Sequence, residues 1–384
     1  MQFEFGTATR IIFGPGRVNS IGKLVDGIGK RALILAGGPK DISDRLVNLL
    51  EPHGVTCSFI TINQEPTIDR IRELVELANQ MSPDFVIGIG GGSTIDSAKA
   101  TAAMLTNSGD VTDYLEIIGL NRPLLNPSLP LIAIPTTAGT GSEVTRNAVL
   151  DSPSNHIKVS LRSSYLFPRI SLVDPELTLS VPSEITAYTG LDALTQLIEP
   201  FTCLKPNPLT DALCIEGIQH VARSLFQAYD HGDDIHARED MSIASLFSGL
   251  ALANAKLGAV HGMAAPIGGE IRSAHGAICA VLLPHVMEAN LKALTERTPN
   301  HPVLDRYTTI SKILSGNSEA TAEMGIQWVH NFCKHAKIPQ LSTYGLSKES
   351  FGVIIENSMK ASSMKGNPII LSEPELRNIL QKSL

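Results

Sequence analysis

Little in this chain ties it to membranes, nucleic acid or an oxidising compartment. Only 5 of its 384 residues are cysteine. They are scattered with no C-x-x-C pair, which excludes a disulfide scaffold and points to thiols in a reducing compartment. The formal net charge of -7 leaves no basic footprint for nucleic acid, and no block of like charge suggests a tail. Met1–Ile12 lacks a basic stretch followed by an apolar one, so no signal peptide is expected. No apolar run reaches the roughly 18 residues a membrane span needs. A cytoplasmic, soluble protein is the expectation, with anionic small substrates still compatible, because a local basic pocket can sit on an acidic surface.

The apolar share of 43% and charged share of 18% are ordinary for a globular protein, and the length suits two domains or one large one. In the first half, short apolar runs alternate with amphipathic segments. Arg31–Ala36, Thr56–Ile60, Phe85–Ile89 and Leu131–Ile134 read as strands. Asp41–Leu50, Ile68–Ala78 and Thr94–Leu105 read as helices. This alternation predicts βαβ units and a mostly parallel sheet. After Val173–Leu177 the texture changes to helical stretches near 184–199, 208–229 and 237–255, with breaks expected at Pro200, Pro206, Pro208 and Asp230–Asp234. The predicted division is an α/β nucleotide-binding domain over 1–180 and an all-helical domain over 181–384.

Two loops carry ligand-binding chemistry. Gly88–Thr94 joins a buried strand to a helix, where glycines allow close backbone approach and the first-turn N–H groups form an anion site. Ser93 and Asp96 have the spacing of a capping box, and a plain tight turn is the competing reading. The second loop, Pro135–Thr145, sets hydroxyls at the carboxyl end of the next strand, where open α/β sheets bind ligands. A hydroxyl-rich turn satisfying its own backbone is the alternative there. Two such loops after neighbouring strands favour a dinucleotide.

Asp192 and Gln196 stand at i and i+4 on one predicted helix face. His261 and His275 are separated by Gly262, Pro266, Gly268 and Gly269, which predicts a helix end and a following turn. Two imidazoles and a carboxylate suit Zn²⁺ or Fe²⁺, although spacing alone leaves open core histidines and a solvated Asp/Gln pair. Gln196 offers only a neutral amide oxygen. A ligand's average share is roughly 3–4 kcal/mol, so weakening one position loosens a cation by about two orders of magnitude without abolishing the site.

Together these motifs resemble the iron-containing (group III) alcohol dehydrogenase family, from Phe13-Gly14-Pro15-Gly16-Arg17-Val18 to Gly366-Asn367-Pro368. The most specific parts are Gly90–Asp96, Pro135–Thr145, Gly190–Thr195 and His261–His285. The resemblance implies a Rossmann-like nucleotide-binding domain, a helical domain of the dehydroquinate synthase-like type and a cleft between them. It implies that Gly91, Gly92, Ser93 and Thr94 hold the pyrophosphate, and that Thr136, Thr137, Thr140, Ser142 and Lys158 line the nicotinamide nucleotide. It also implies that Asp192, His261 and His275 hold Fe²⁺ or Zn²⁺, with Gln196 where a fourth ligand, usually His, stands. Ala265 replaces a His thought to help move the proton, so the catalytic group is unassigned. Gly37 stands where NAD-preferring members often carry Asp, so NADP as well as NAD is expected.

The expected activity interconverts a small alcohol with its aldehyde or ketone, favouring reduction, with a metal polarising the substrate oxygen. Asn147 and Arg272 are substrate candidates, the latter for an anionic aldehyde or else as a solvated loop residue. A homodimer or higher homo-oligomer is expected from the resemblance, with neither nucleic acid nor membrane as partner. Competing readings are a metal-free reductase similar to maleylacetate reductases, a lyase similar to dehydroquinate synthases, and a catalytically dead nucleotide-binding protein.

Overall fold

The computed structural model describes residues 2–155, 157–271 and 273–384. The apolar runs of the first half become strands of one sheet. In chain order the elements are β1 (Arg10–Phe13), α1 (Ile21–Leu24), β2 (Arg31–Ala36), α2 (Lys40–Leu50), β3 (Thr56–Thr61), α3 (Ile68–Met81), β4 (Phe85–Gly90), α4 (Gly92–Met104) and β5 (Leu131–Pro135). A hairpin, β6 (Asn147–Ser152) and β7 (Ile157–Arg162), precedes β8 (Ile170–Val173). The main sheet runs β1-β8-β5-β4-β2-β3, parallel throughout.

β4 and β5 are buried along their whole length because helices cover both faces of the sheet. Alternate side chains feed two cores. Ala32 and Ile34 pack with Ile21, Leu46 and Leu50 of α1 and α2. Leu33 and Leu35 pack with Ile71 and Leu74 of α3, Ala98 of α4, and Leu150 and Leu161 of the hairpin. The sequence reading had no place for that hairpin, although Ala148 and Leu150 are buried while Val149 between them is exposed, the period-2 signature of a half-buried strand.

The chain divides into two compact units, Phe5–Val181 and Pro182–Leu384 joined by the residues up to Glu4. The second unit is helical: α5 (Ser183–Thr202), α6 (Pro208–Asp230), α7 (Ile235–Asn254), α8 (Ala259–Glu270), α9 (His275–Arg297), α10 (Val303–Ser315), α11 (Ala322–His335), α12 (Phe351–Lys360) and α13 (Glu373–Lys382).

Two expectations are corrected here. Pro200 does not break α5, because it lies in the last turn, where a missing N–H removes a single ladder bond, and its ring is buried. α8 runs through Gly262, Pro266, Gly268 and Gly269 to Glu270, so His261 and His275 open two successive helices instead of sharing a helix end and turn. The expectation of no continuous 18-residue apolar run is met: α9 passes only an averaged hydropathy test for a membrane span, and 78% of that window is buried inside the fold, as in the core helix of a globular unit.

Candidate functional site

In the α/β unit, Gly37, the Gly90–Thr94 loop and the Pro135–Thr140 loop follow the carboxyl ends of the adjacent strands β2, β4 and β5. The chain order reverses between β2 and β4, and open sheets receive ligands at such a point. Gly90 has φ of +153°, and a Cβ there would stand 2.6 Å from Thr94 Oγ1 and 3.1 Å from the Gly37 nitrogen. A Cβ on Gly92 would meet Thr140 Cγ2 at 2.8 Å, so the two loops touch only because the residue is glycine.

The N-cap of α4 is Gly91, with no side-chain cap. The capping box expected of Ser93 and Asp96 is therefore absent. Ser93 lies inside the helix, and Asp96 accepts instead from Ser142 Oγ at 2.5 Å and from the Val149 N–H at 3.0 Å. Leaving the first turn uncapped keeps its N–H groups for an anion.

Beneath the loops sits Lys99, which the sequence reading passed over. It is fully buried and donates to Ser142 Oγ (3.1 Å), Thr145 Oγ1 (2.8 Å) and the Asn147 carbonyl (2.8 Å). Burial pulls its ammonium down to about 8, with Asp96 and Glu143 opposing. Burial pushes the neighbouring Glu143 carboxyl up to about 7. Ser142 and Asn147 are thus fastened to α4, by side chain and by carbonyl respectively. Thr136 is buried at the tip of β5, and Thr137 lies next to Gly91. Lys158 forms an ion pair with Glu65 Oε2 at 2.5 Å. Arg272 falls outside the described residues.

In the helical unit, α5, α8 and α9 bring Asp192, His261 and His275 together. Asp192 is 2% and His261 7% exposed. His261 Nε2 lies 3.5 Å and His275 Nε2 3.9 Å from Asp192 Oδ1. Asp192 Oδ1 and His261 Nε2 are buried without a hydrogen-bond partner, which is costly unless something else sits between them. Metal–ligand bonds of about 2.0–2.3 Å place tetrahedral donors roughly 3.3–3.8 Å apart, close to the distances seen. Donor atoms of Asp192, His261, His275 and Cys279 all lie within 4.8 Å of one another. The residues therefore fit a divalent cation.

Gln196, one turn along α5, gives its Nε2 hydrogen to Asp192 Oδ2 at 3.0 Å. Behind His261 stands Glu199, also missed from sequence, although it lies two turns after Asp192 on the same helix face. Its Oε2 is 2.6 Å from His261 Nδ1, and its Oε1 accepts the Val260 N–H at 2.7 Å. A carboxylate on the far nitrogen fixes the tautomer that points Nε2 at a metal. Burial alone would depress the His261 imidazole, but Glu199 and Asp192 outweigh it and push it up to about 10. Burial likewise opposes the Asp192 anion, yet His261 and His275 hold that carboxyl below the usual range. Close packing requires small residues: a Cβ on Gly258 would stand 2.9 Å from Glu199 Oε1, and one on Gly276 2.8 Å from the Tyr188 carbonyl. Ala265 is half-buried, one turn after His261, with no group to carry a proton.

Residues 8–175 match the family model described as iron-containing alcohol dehydrogenase, and residues 186–384 match its C-terminal counterpart. The chain belongs to the iron-containing alcohol dehydrogenase family. It is 33% identical to alcohol dehydrogenase 4 of Schizosaccharomyces pombe over 97% of this chain and 87% of that protein. It is also 33% identical to the 1,3-propanediol dehydrogenase of Citrobacter freundii over 100% of this chain and 99% of that one. A crystal structure of a 1,3-propanediol oxidoreductase superposes with a TM-score of 0.91 at 30% identity, each chain covered completely. This iron-containing alcohol dehydrogenase is thus an NAD(P)-linked, metal-associated oxidoreductase of a small alcohol or aldehyde.

Proposed function

We propose that Asp192, His261 and His275 hold the catalytic divalent cation and that the uncapped start of α4 holds the cofactor pyrophosphate. The observation that carries this reading is the pair of buried, unpartnered atoms, Asp192 Oδ1 and His261 Nε2, facing the His275 imidazole. When bound, the cation supplies Lewis acidity toward the substrate oxygen, and the nicotinamide supplies the hydride chemistry.

The chain's own residues do the rest. Glu199 keeps the His261 Nδ1 proton and so presents Nε2 as a donor. Gln196 steadies the second oxygen of Asp192. Gly91 and Gly92 admit the pyrophosphate to the first-turn N–H groups of α4, with Ser93, Thr94, Thr137 and Thr140 beside them. Ser142 and Asn147 belong to the same wall, held there by Lys99, and Lys158 reaches the nucleotide only by giving up its ion pair with Glu65. Ala265 carries no proton, so the alcohol proton exchanges with water or a cofactor hydroxyl.

Position 37 bears on cofactor choice. A Cβ there would stand 2.2 Å from Thr94 Oγ1, so the site as built carries no carboxylate to repel a 2′-phosphate; NADP(H) is accepted beside NAD(H). A cytoplasmic home is supported by the absence of any disulfide among the described residues. Homo-oligomerisation and the dehydroquinate synthase-like form of the helical unit follow from the resemblance, and light scattering tests the former.

The deciding experiment is a screen of small alcohols and aldehydes, neutral and anionic, with both nicotinamides, before and after chelation. Turnover lost on chelation and restored by Fe²⁺ or Zn²⁺ is expected. Turnover that survives in metal-free protein, or net consumption of substrate with no change in reduced cofactor, would sink this reading in favour of the metal-free reductase or the lyase.

A further inference from the structure

The amide at position 196 does not turn its oxygen to the metal centre. Gln196 donates through Nε2 to Asp192 Oδ2, and its Oε1 lies 3.1 Å from Ser248 Oγ on α7. Ser248 Oγ is also 2.8 Å from the Ser245 carbonyl, and a hydroxyl has one hydrogen for two acceptors. An amide turned over would relieve that competition, but it would set a neutral oxygen against the Asp192 carboxylate. The family position for a fourth ligand thus offers a weak donor that is already occupied.

A stronger donor stands on another helix. Cys279 lies one turn after His275 on α9, at the i, i+4 spacing that puts both side chains on one face. Its Sγ is fully buried, 3.5 Å from His275 Nε2, and within 4.8 Å of the Asp192 and His261 donor atoms. The two unpartnered atoms, Asp192 Oδ1 and His261 Nε2, belong to this same cluster. The geometry points to Cys279, not Gln196, as the fourth ligand, an inference that rests on the metal-site reading above.

Ligation converts the Cys279 thiol to thiolate, the proton leaves to water, and no electrons move. Each of two helices then contributes an i, i+4 pair: α5 supplies a ligand and its positioning amide, and α9 supplies two ligands. One carboxylate, two imidazoles and a thiolate form a softer set than three imidazoles and a carboxylate, and shift preference toward Zn²⁺.

Co²⁺ titrated into metal-depleted protein tests this without reference to turnover. Expected is a near-ultraviolet thiolate-to-cobalt charge-transfer band, together with a sulfur scatterer at about 2.3 Å in X-ray absorption. The band should disappear in Cys279→Ser with binding weakened about a hundredfold, and should persist in Gln196→Ala. Should the serine variant not fold, the wild-type spectrum decides, because no other cysteine among the described residues joins the cluster. Co²⁺ bound with its visible d–d bands but no sulfur signal overturns the role of Cys279 and leaves the metal site standing. Failure to bind Co²⁺ at all overturns both.

Discussion

In the proposed reading the α/β unit meets its ligand with backbone, whereas the helical unit does so with side chains. At the nucleotide loops the proposed working parts are uncapped N–H groups and glycines at 90, 91 and 92, so the pyrophosphate end of the site lies in a short stretch of sequence. At the metal centre the parts come from α5, α8 and α9, and two of them, Asp192 Oδ1 and His261 Nε2, have no partner of their own. A backbone site tolerates side-chain exchange but not added bulk. A side-chain site is most sensitive to loss of a donor, and to bulk only where its helices touch through glycine, as at Gly258 and Gly276. The difference predicts which substitutions each will bear.

The largest effect is expected from Asp192→Ala, which removes the donor facing both imidazoles. Metal retained after dialysis, read by elemental analysis, should fall to background and kcat by at least about a thousandfold, with NAD(P) affinity unchanged. Loss of cofactor binding alongside the metal would break the separation of the two sites.

Next comes Gly92→Val, whose side chain must enter the space of Thr140. Cofactor affinity, followed by fluorescence titration, should drop by about a hundredfold while metal content holds. Ser93→Ala at the neighbouring position should change affinity by less than about fivefold, since the N–H and not the hydroxyl does the binding. An equal loss from both would argue against a backbone site.

Smaller again is Gly37→Asp. The Thr94 hydroxyl has to rotate away, after which a carboxylate faces the ribose; the ratio of kcat/KM for NADPH over NADH should fall about tenfold.

The smallest effect concerns stability. The folded Glu143 carboxyl titrates near 7 against an ordinary value of 4.5, so the native state holds a proton that the unfolded chain has released in between. Its stabilising contribution is full below about 4.5 and fades as pH rises through 7. Glu143→Gln should therefore match the wild type in urea melts at low pH and exceed it by about 1–3 kcal/mol above neutrality. A gap that does not change with pH would assign the effect to packing instead.

The same contrast explains what the sequence made legible. The strands β2, β4 and β5 and the loops after them are local patterns, a run of apolar residues ending in glycine or threonine, and they can be read without knowing the fold. The four-residue strands β1 and β8 are too short to stand out by periodicity, and the hairpin pairing depends on a core it does not create. Lys99 reads as one polar residue on a helix until the fold buries it under the Ser142 turn. Asp192 and the two histidines drew attention by residue type. Cys279 and Glu199 did not, because a lone thiol or carboxylate one or two turns beyond a candidate ligand has meaning only once the helices converge.

The contact at Gly276 ties two side chains of the metal site to one backbone position. With the Tyr188 carbonyl 2.8 Å from where a Cβ would be, the first turn of α9 is seated against the main chain of α5. Thickening the chain at 276 would carry His275 and Cys279 away together, while position 196 can be rewritten without disturbing either. The centre therefore has a soft point and a hard one: the side chain at 196 can be exchanged by itself, whereas anything added at 276 displaces both α9 side chains at once.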